Sequence, residues 1–174
     1  DQEQYPRLVK DLYKLTKGLD PTRPFNDASG GTHVITDLWT VHNYEGNAAK
    51  MVELLTPKAD GKMFSNDNYK FVPYAGQPYL IDEFGGIQWI PSAKEKNSEK
   101  SWGYGDAPKT LEEYYTRLEG TVDAILSRPN VWGYCFTQLT DVEQEQNGLY
   151  LYNRTAKFDM KRIKAIFNKI PSFN

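Results

Sequence analysis

The chain is poor in the groups on which most site chemistries are built. Cys135 is the only cysteine in 174 residues. No internal disulfide can form, and the redox compartment stays open. Cys135 lies in an apolar strand pattern and is expected to be a packed core thiol, not a nucleophile. His33 and His42 are the only histidines, and neither is spaced with a cysteine or a second histidine as zinc ligands are, so no metal site is expected. Gly30-Gly31 and Gly85-Gly86 lack the spacing of a phosphate-cradling loop or a dinucleotide fingerprint, and no cofactor is expected. No serine sits in a recognisable nucleophile elbow. No apolar run reaches the length of a membrane span, and no secretory leader opens the chain. Formal net charge is only -2, which exerts no general pull on nucleic acid or an anionic membrane, and neither is expected as a partner. Asp1 is not an initiator residue, so the sequence reads as a processed or excised piece of something longer.

What the chain does have is aromatics: four Trp, twelve Tyr and eight Phe. Such rings either fill a core or line a ligand surface, and composition alone leaves both readings open. It also has one stretch in which strand character runs straight into a carboxylate, Gln77-Pro78-Tyr79-Leu80-Ile81-Asp82-Glu83-Phe84-Gly85-Gly86. A parallel strand over Tyr79 to Glu83 would deliver Glu83 to a mouth, and the two glycines would let the backbone turn away. Barrel enzymes keep catalytic groups at such strand tips. The alternative is a structural carboxylate that caps the next element. Strand alternation points Asp82 away from Glu83.

The remaining elements follow from periodicity and punctuation. A helix is expected over Tyr5 to Lys17, with Pro6 in its first turn, an apolar stripe of Tyr5, Leu8, Val9, Leu12 and Leu15, and Gly18 as its stop. Short strands are expected at Phe25 to Ala28 and Leu38 to Tyr44. On the second, Thr40, His42 and Tyr44 share one face and Trp39, Val41 and Asn43 the other. Asn47 caps a helix to Leu55, and Pro57 to Gly76 is irregular. A long loop from Gly85 to Pro108 carries Trp89, Trp102 and Tyr104, with a solvated charged run at Lys94 to Lys100. Thr110 to Ser127 is the clearest helix, with Thr110 and Glu113 as a capping box. Val131 to Gln138 reads as a buried strand, and a last helix runs from about Asp159 to Ile170. Four strands alternating with helices imply an α/β fold with a parallel sheet. No internal repeat, linker or second domain is evident, so residues 1–174 read as one domain.

With those elements in place, four blocks carry a resemblance over nearly the whole chain. They are Leu19-Asp20-Pro21-Thr22-Arg23-Pro24, Val41-His42-Asn43-Tyr44, Pro78 to Gly86, and Thr137-Gln138-Leu139-Thr140-Asp141-Val142-Glu143 followed by Asn147-Gly148-Leu149. In that order they resemble glycoside hydrolase family 2, the β-galactosidase and β-glucuronidase group. The resemblance implies an α/β fold forming the C-terminal part, about strands 5–8, of a (β/α)8 TIM barrel. It makes the chain a single partial catalytic barrel domain from a larger multidomain enzyme.

The same resemblance implies roles. Glu83 matches the family's nucleophile, and Tyr44 the tyrosine that hydrogen-bonds it. His42, Asn43, Trp89, Trp102 and Asp141 become candidates for contact with a sugar. The family's acid/base glutamate follows an asparagine, and no Asn-Glu pair occurs in this chain, so that residue is expected before Asp1. Many members carry a tryptophan where Thr137 stands, which leaves the shape of the sugar subsite open. The implied reaction is hydrolysis of β-linked O-glycosides by retaining double displacement. The expected partners are a carbohydrate substrate and the remainder of the parent barrel. The isolated piece is expected to be inactive, and its uncovered edges invite self-association. The competing reading is a sugar-binding module or pseudo-enzyme that uses the aromatic loop without hydrolysis.

Overall fold

The computed structural model describes residues 4–92 and 100–173, so the charged run at Lys94 to Lys100 falls outside the described residues except for its last member. The elements are α1 (Pro6–Leu19), β1 (Trp39–Asn43), α2 (Ala48–Leu54), β2 (Tyr79–Gly85), α3 (Leu111–Leu126), β3 (Val131–Thr137) and α4 (Met160–Phe167). The three strands form one parallel sheet in the order β1-β2-β3, with β2 at its centre. The chain groups into two compact units. The first comprises residues 1–43, 54–83 and 130–135, and the second residues 44–53, 84–129 and 136–174.

In the first unit, β1 and β2 supply the core. Trp39, Val41, Tyr79 and Ile81 are fully buried, each burial contributing about 1.5–3 kcal/mol. Tyr74 and Tyr69 pack on the Trp39 ring, and the Tyr79 hydroxyl donates to the Phe64 carbonyl at 2.8 Å. Asn66 stands in for a strand neighbour to β1: its amide oxygen accepts from the His42 N–H at 3.0 Å and its amide nitrogen donates to the His42 carbonyl at 2.9 Å.

Phe25 to Ala28 is not a strand. Apart from the Phe25 carbonyl, which accepts from the Asp37 N–H at 2.9 Å, its hydrogen bonds are mostly with side chains instead of a ladder. The Asp27 carboxylate accepts from the Val34 and Ile35 N–H groups and meets His33 Nδ1 at 2.6 Å. The Thr40 hydroxyl donates to the Ala28 carbonyl at 2.7 Å. A polar knot therefore occupies the place of the expected fourth strand.

Helix α1 runs through Gly18 and ends at Asp20, where Pro21 follows and the Asp20 carboxylate turns to bind the Thr22 N–H at 2.9 Å. Of its apolar stripe only Val9 is buried; Leu8, Leu12 and Leu15 remain 51%, 46% and 59% exposed. Strand β3 is likewise not the buried strand its composition suggests. It lies at the sheet edge, Trp132 is 75% exposed and Cys135 is exposed. An apolar pattern states what a segment needs, and here no neighbour within the first unit meets that need.

The second unit is built on α3 and α4. Thr110 Oγ1 accepts from the Glu113 N–H at 3.1 Å, while the Glu113 carboxylate reaches back to the Lys109 N–H at 2.8 Å. The box thus closes one residue earlier than its usual form. Tyr114, Tyr115, Leu118, Val122 and Ile125 face inward, with Phe158 stacked on Tyr114. Arg162 joins α4 to α3 through a bidentate pair with Glu112 at 2.6 and 2.9 Å. Helix α4 stops at Phe167, short of the expected Ile170, which is exposed.

The Asp27–His33 pair gives the first unit a pH signature. Burial pushes the Asp27 carboxyl up, but His33 and the two N–H donors outweigh this and hold it below its ordinary value. Burial pushes the His33 imidazole down, but Asp27 and the Thr40 carbonyl outweigh that and hold it above its ordinary value. Asp27 therefore contributes stability that is complete above its unfolded value and fades as pH falls through the folded one. His33 contributes stability that is complete below its unfolded value and fades as pH rises through the folded one. The pair should stabilise most between about pH 4 and pH 6.5. The difference in urea midpoint between the native chain and Asp27→Asn should peak in that window. A difference that stays flat from pH 3 to 9 would show that the pair carries no such linkage.

Candidate functional site

Glu83 lies at the end of the central strand's run in the first unit and is half-buried. Its Oε2 is 3.1 Å from His42 Nδ1. The other ring nitrogen, His42 Nε2, is 3.0 Å from Ser29 Oγ and 3.8 Å from Asp82 Oδ1. Ser29 in turn donates to Asp82 Oδ2 at 2.8 Å. Three side chains from two separate segments thus converge on one imidazole. Gly30 makes room for it: a Cβ there would lie 2.0 Å from the His42 ring, and the residue holds φ +57. The group borders a cavity of about 300 Å³ whose opposite wall is Leu8, Leu12 and Phe25.

Asp82 was expected to point away from Glu83, yet both carboxylates reach His42. The burial pattern along β2 shows the physical reason. Tyr79 and Ile81 are buried with Leu80 and Asp82 more open, then Glu83 is also open and Phe84 is buried. The alternation of burial breaks between Asp82 and Glu83, so both carboxylates lie on the more open side.

The other predicted residues are placed as follows. Asn43 is 3% exposed and closes β1 in the first unit. Tyr44 belongs to the second unit, where it stacks on Tyr104 with ring centroids 3.4 Å apart and planes 1° apart. Trp102 meets Tyr104 edge-on at 5.5 Å and is 44% exposed. Gly86, at φ +58, lets both tyrosines lie against the backbone, since a Cβ there would fall 2.4 Å from Tyr104 and 2.9 Å from Tyr44. A cavity of about 360 Å³ beside this stack is bordered by Glu45, Asp106 and Arg117. Trp89 is half-buried, with its ring edge toward Tyr114 at 6.4 Å. Asp141 is buried and its Oδ1 is bound by Lys157 Nζ at 2.5 Å and the Gly148 N–H at 2.9 Å. Its Oδ2 is buried and has no hydrogen-bond partner among the described residues.

Ser29, Gly30, Asn66 and Asp82 were not singled out by sequence as parts of a site. Ser29-Gly30-Gly31 reads only as a turn. The one usable signal was the glycine pair, since glycine marks a place where another group comes close to the backbone. Among the described residues no cluster of His, Cys, Asp or Glu is arranged to hold a metal ion. Among the described residues no helix is long and apolar enough to cross a membrane.

No protein-family model matches the chain, and no curated protein matches it. Solved structures do. A family 2 β-galacturonidase from Eisenbergiella tayi bound to glycerol superposes with a TM-score of 0.59 at 15% identity, over 97% of this chain and 31% of that one. A β-D-glucuronidase for Dictyoglomus thermophilum gives 0.60 at 18%, over 97% and 30%. An FMN-binding β-glucuronidase from Facaelibacterium prausnitzii L2-6 gives 0.58 at 19%, over 97% and 27%. The chain spans about a third of the length of these enzymes. At such identities the likeness is one of fold: the chain has a glycoside hydrolase family 2-like α/β fold.

Proposed function

We propose that the chain is the C-terminal part of a retaining β-glycosidase barrel, about strands 5–8, and that Glu83 is its nucleophile. The observation that carries this reading is the seat of Glu83, at the end of the central strand, on a cavity wall and in contact with His42. A nucleophilic carboxylate has to be ionised, and donors around it favour that form. In this reading the Glu83 carboxylate attacks the anomeric carbon and the aglycone departs with a proton from a second carboxyl. Water activated by that second carboxyl then hydrolyses the glycosyl ester.

The second carboxyl is proposed to come from outside this chain. Among the described residues near the cavity, the Asp27 carboxylate is bound by His33 and Asp82 Oδ2 accepts from Ser29. The remainder of a barrel is also the proposed cover for the open stripe of α1 and the edge of β3. Left without it, the chain is proposed to be inactive and to self-associate.

A fluorinated activated β-glycoside, which traps the glycosyl ester, tests the reading in a longer protein that contains this chain. Stoichiometric label on the peptide carrying Glu83 is the expected result. Label on another carboxylate would remove Glu83 from the role. A second reading, saccharide binding without hydrolysis, is favoured by the Tyr44–Tyr104 stack and exposed Trp102 beside a cavity. Saturable sugar binding with no label at any carboxylate would support it.

A further inference from the structure

The geometry points to a doubly protonated His42, an imidazolium held between Glu83 and the Asp82–Ser29 pair, as the positioning residue and countercharge of Glu83. The argument is a count of donors. Asp82 is an acceptor only, and Ser29 has one hydroxyl proton, which it gives to Asp82 Oδ2 at 2.8 Å. Toward His42 Nε2, at 3.0 Å, Ser29 therefore presents a lone pair. Glu83 Oε2, 3.1 Å from Nδ1, is also an acceptor. Both ring nitrogens face acceptors, and the bonds are satisfied together only when both nitrogens carry protons.

The seat is built for that ring. Gly30 leaves the space it fills, and Asn66 fixes the His42 backbone by two hydrogen bonds. Among the described residues, Glu83 and Asp82, both from β2, place carboxylates against the imidazole. Asp27, which also borders the cavity, is turned to His33.

The line Ser29–His42–Glu83 has the outline of a nucleophile, base and acid, but the same count argues against that use. A serine whose proton goes to Asp82 is not poised to give it to His42. Two carboxylates next to it would also oppose a developing oxyanion.

The catalytic meaning rests on the glycosidase reading. A cation beside Glu83 balances the carboxylate's charge before attack. Glu83 loses its charge as the ester forms, while Asp82 continues to neutralise the ring. The protonation state itself does not rest on that reading.

The test is nitrogen-15 NMR of the histidine rings in the full chain at neutral pH. His33 and His42 are the only histidines, so assignment is simple. In the native chain both His42 nitrogens should carry protons. In Asp82→Ala, Ser29 is free to turn its proton to Nε2, and the ring should lose the Nε2 proton and keep the one on Nδ1. His33 reports whether the first unit remains folded, and its signals should not move. An unprotonated Nε2 in the native chain, or an Asp82→Ala ring that keeps both protons while His33 is unchanged, overturns the inference. Glycosyl label on Glu83 together with a neutral His42 would sink this proposal alone. No label with a doubly protonated His42 would sink only the glycosidase reading.

Discussion

In an intact protein that contains this chain, Glu83→Gln should remove turnover of aryl β-glycosides, with kcat falling on the order of 10⁴-fold or more. Glutamine keeps the shape of glutamate and can still accept a hydrogen bond from His42 Nδ1 through its amide oxygen. It lacks the negative charge and cannot form the ester. The loss should therefore appear in turnover, while thermal stability changes little and binding of a sugar-like competitor persists. That combination separates a nucleophile from a carboxylate that merely braces the fold, whose removal would lower stability and activity together. Hydrolysis within tenfold of the unaltered enzyme would remove Glu83 from the mechanism. The expected size follows from the role, because without the covalent step the reaction falls back on binding and acid help alone.

How far the sequence led can be judged residue by residue. The run from Tyr79 to Glu83 was legible because apolar strand, carboxylate and glycine pair stand in one continuous block, and the strand continues two residues further, to Gly85. The helix at Thr110 was legible because its cap and stripe are both local patterns. What failed was non-local. Ser29 meets His42 across 13 positions and Asp82 across 53, and no spacing rule encodes that. Alternation misplaced Asp82 because it assumes an unbroken pleat, and the alternation of burial along β2 breaks between Asp82 and Glu83. Phe25 to Ala28 looked extended, but propensity cannot foresee that Asp27 will bind two N–H groups and a histidine in place of a ladder. Cys135 and the leucines of α1 were expected inside because apolar residues ask for cover. Sequence does not say which segment supplies that cover.

The largest effect on stability should come from Lys157→Met. The Lys157 ammonium is fully buried and gives its three protons to Asp141 Oδ1 at 2.5 Å, the Trp89 carbonyl at 2.8 Å and the Gln146 carbonyl at 3.3 Å. Burial pulls the ammonium below the usual lysine range, and Asp141 offsets part of that. Asp141 also accepts from the Gly148 N–H, and Gly148 is needed there because a Cβ would sit 2.3 Å from the Thr140 carbonyl carbon. One cation thus ties the loop after β3 to the segment that carries Trp89. Methionine of similar length leaves the Asp141 charge buried with only the Gly148 N–H to bind it, and takes the ammonium from two carbonyls. The cost should be about 3–5 kcal/mol, read as a loss in urea or thermal unfolding. Adding Asp141→Asn to Lys157→Met should recover part of it, since the penalty comes chiefly from the stranded charge and not from the missing attraction. A loss below about 1 kcal/mol for Lys157→Met alone would place it among ordinary surface pairs and end this account. If the loss is as large as expected and Glu83 still takes up label in the variant, the tie serves the fold.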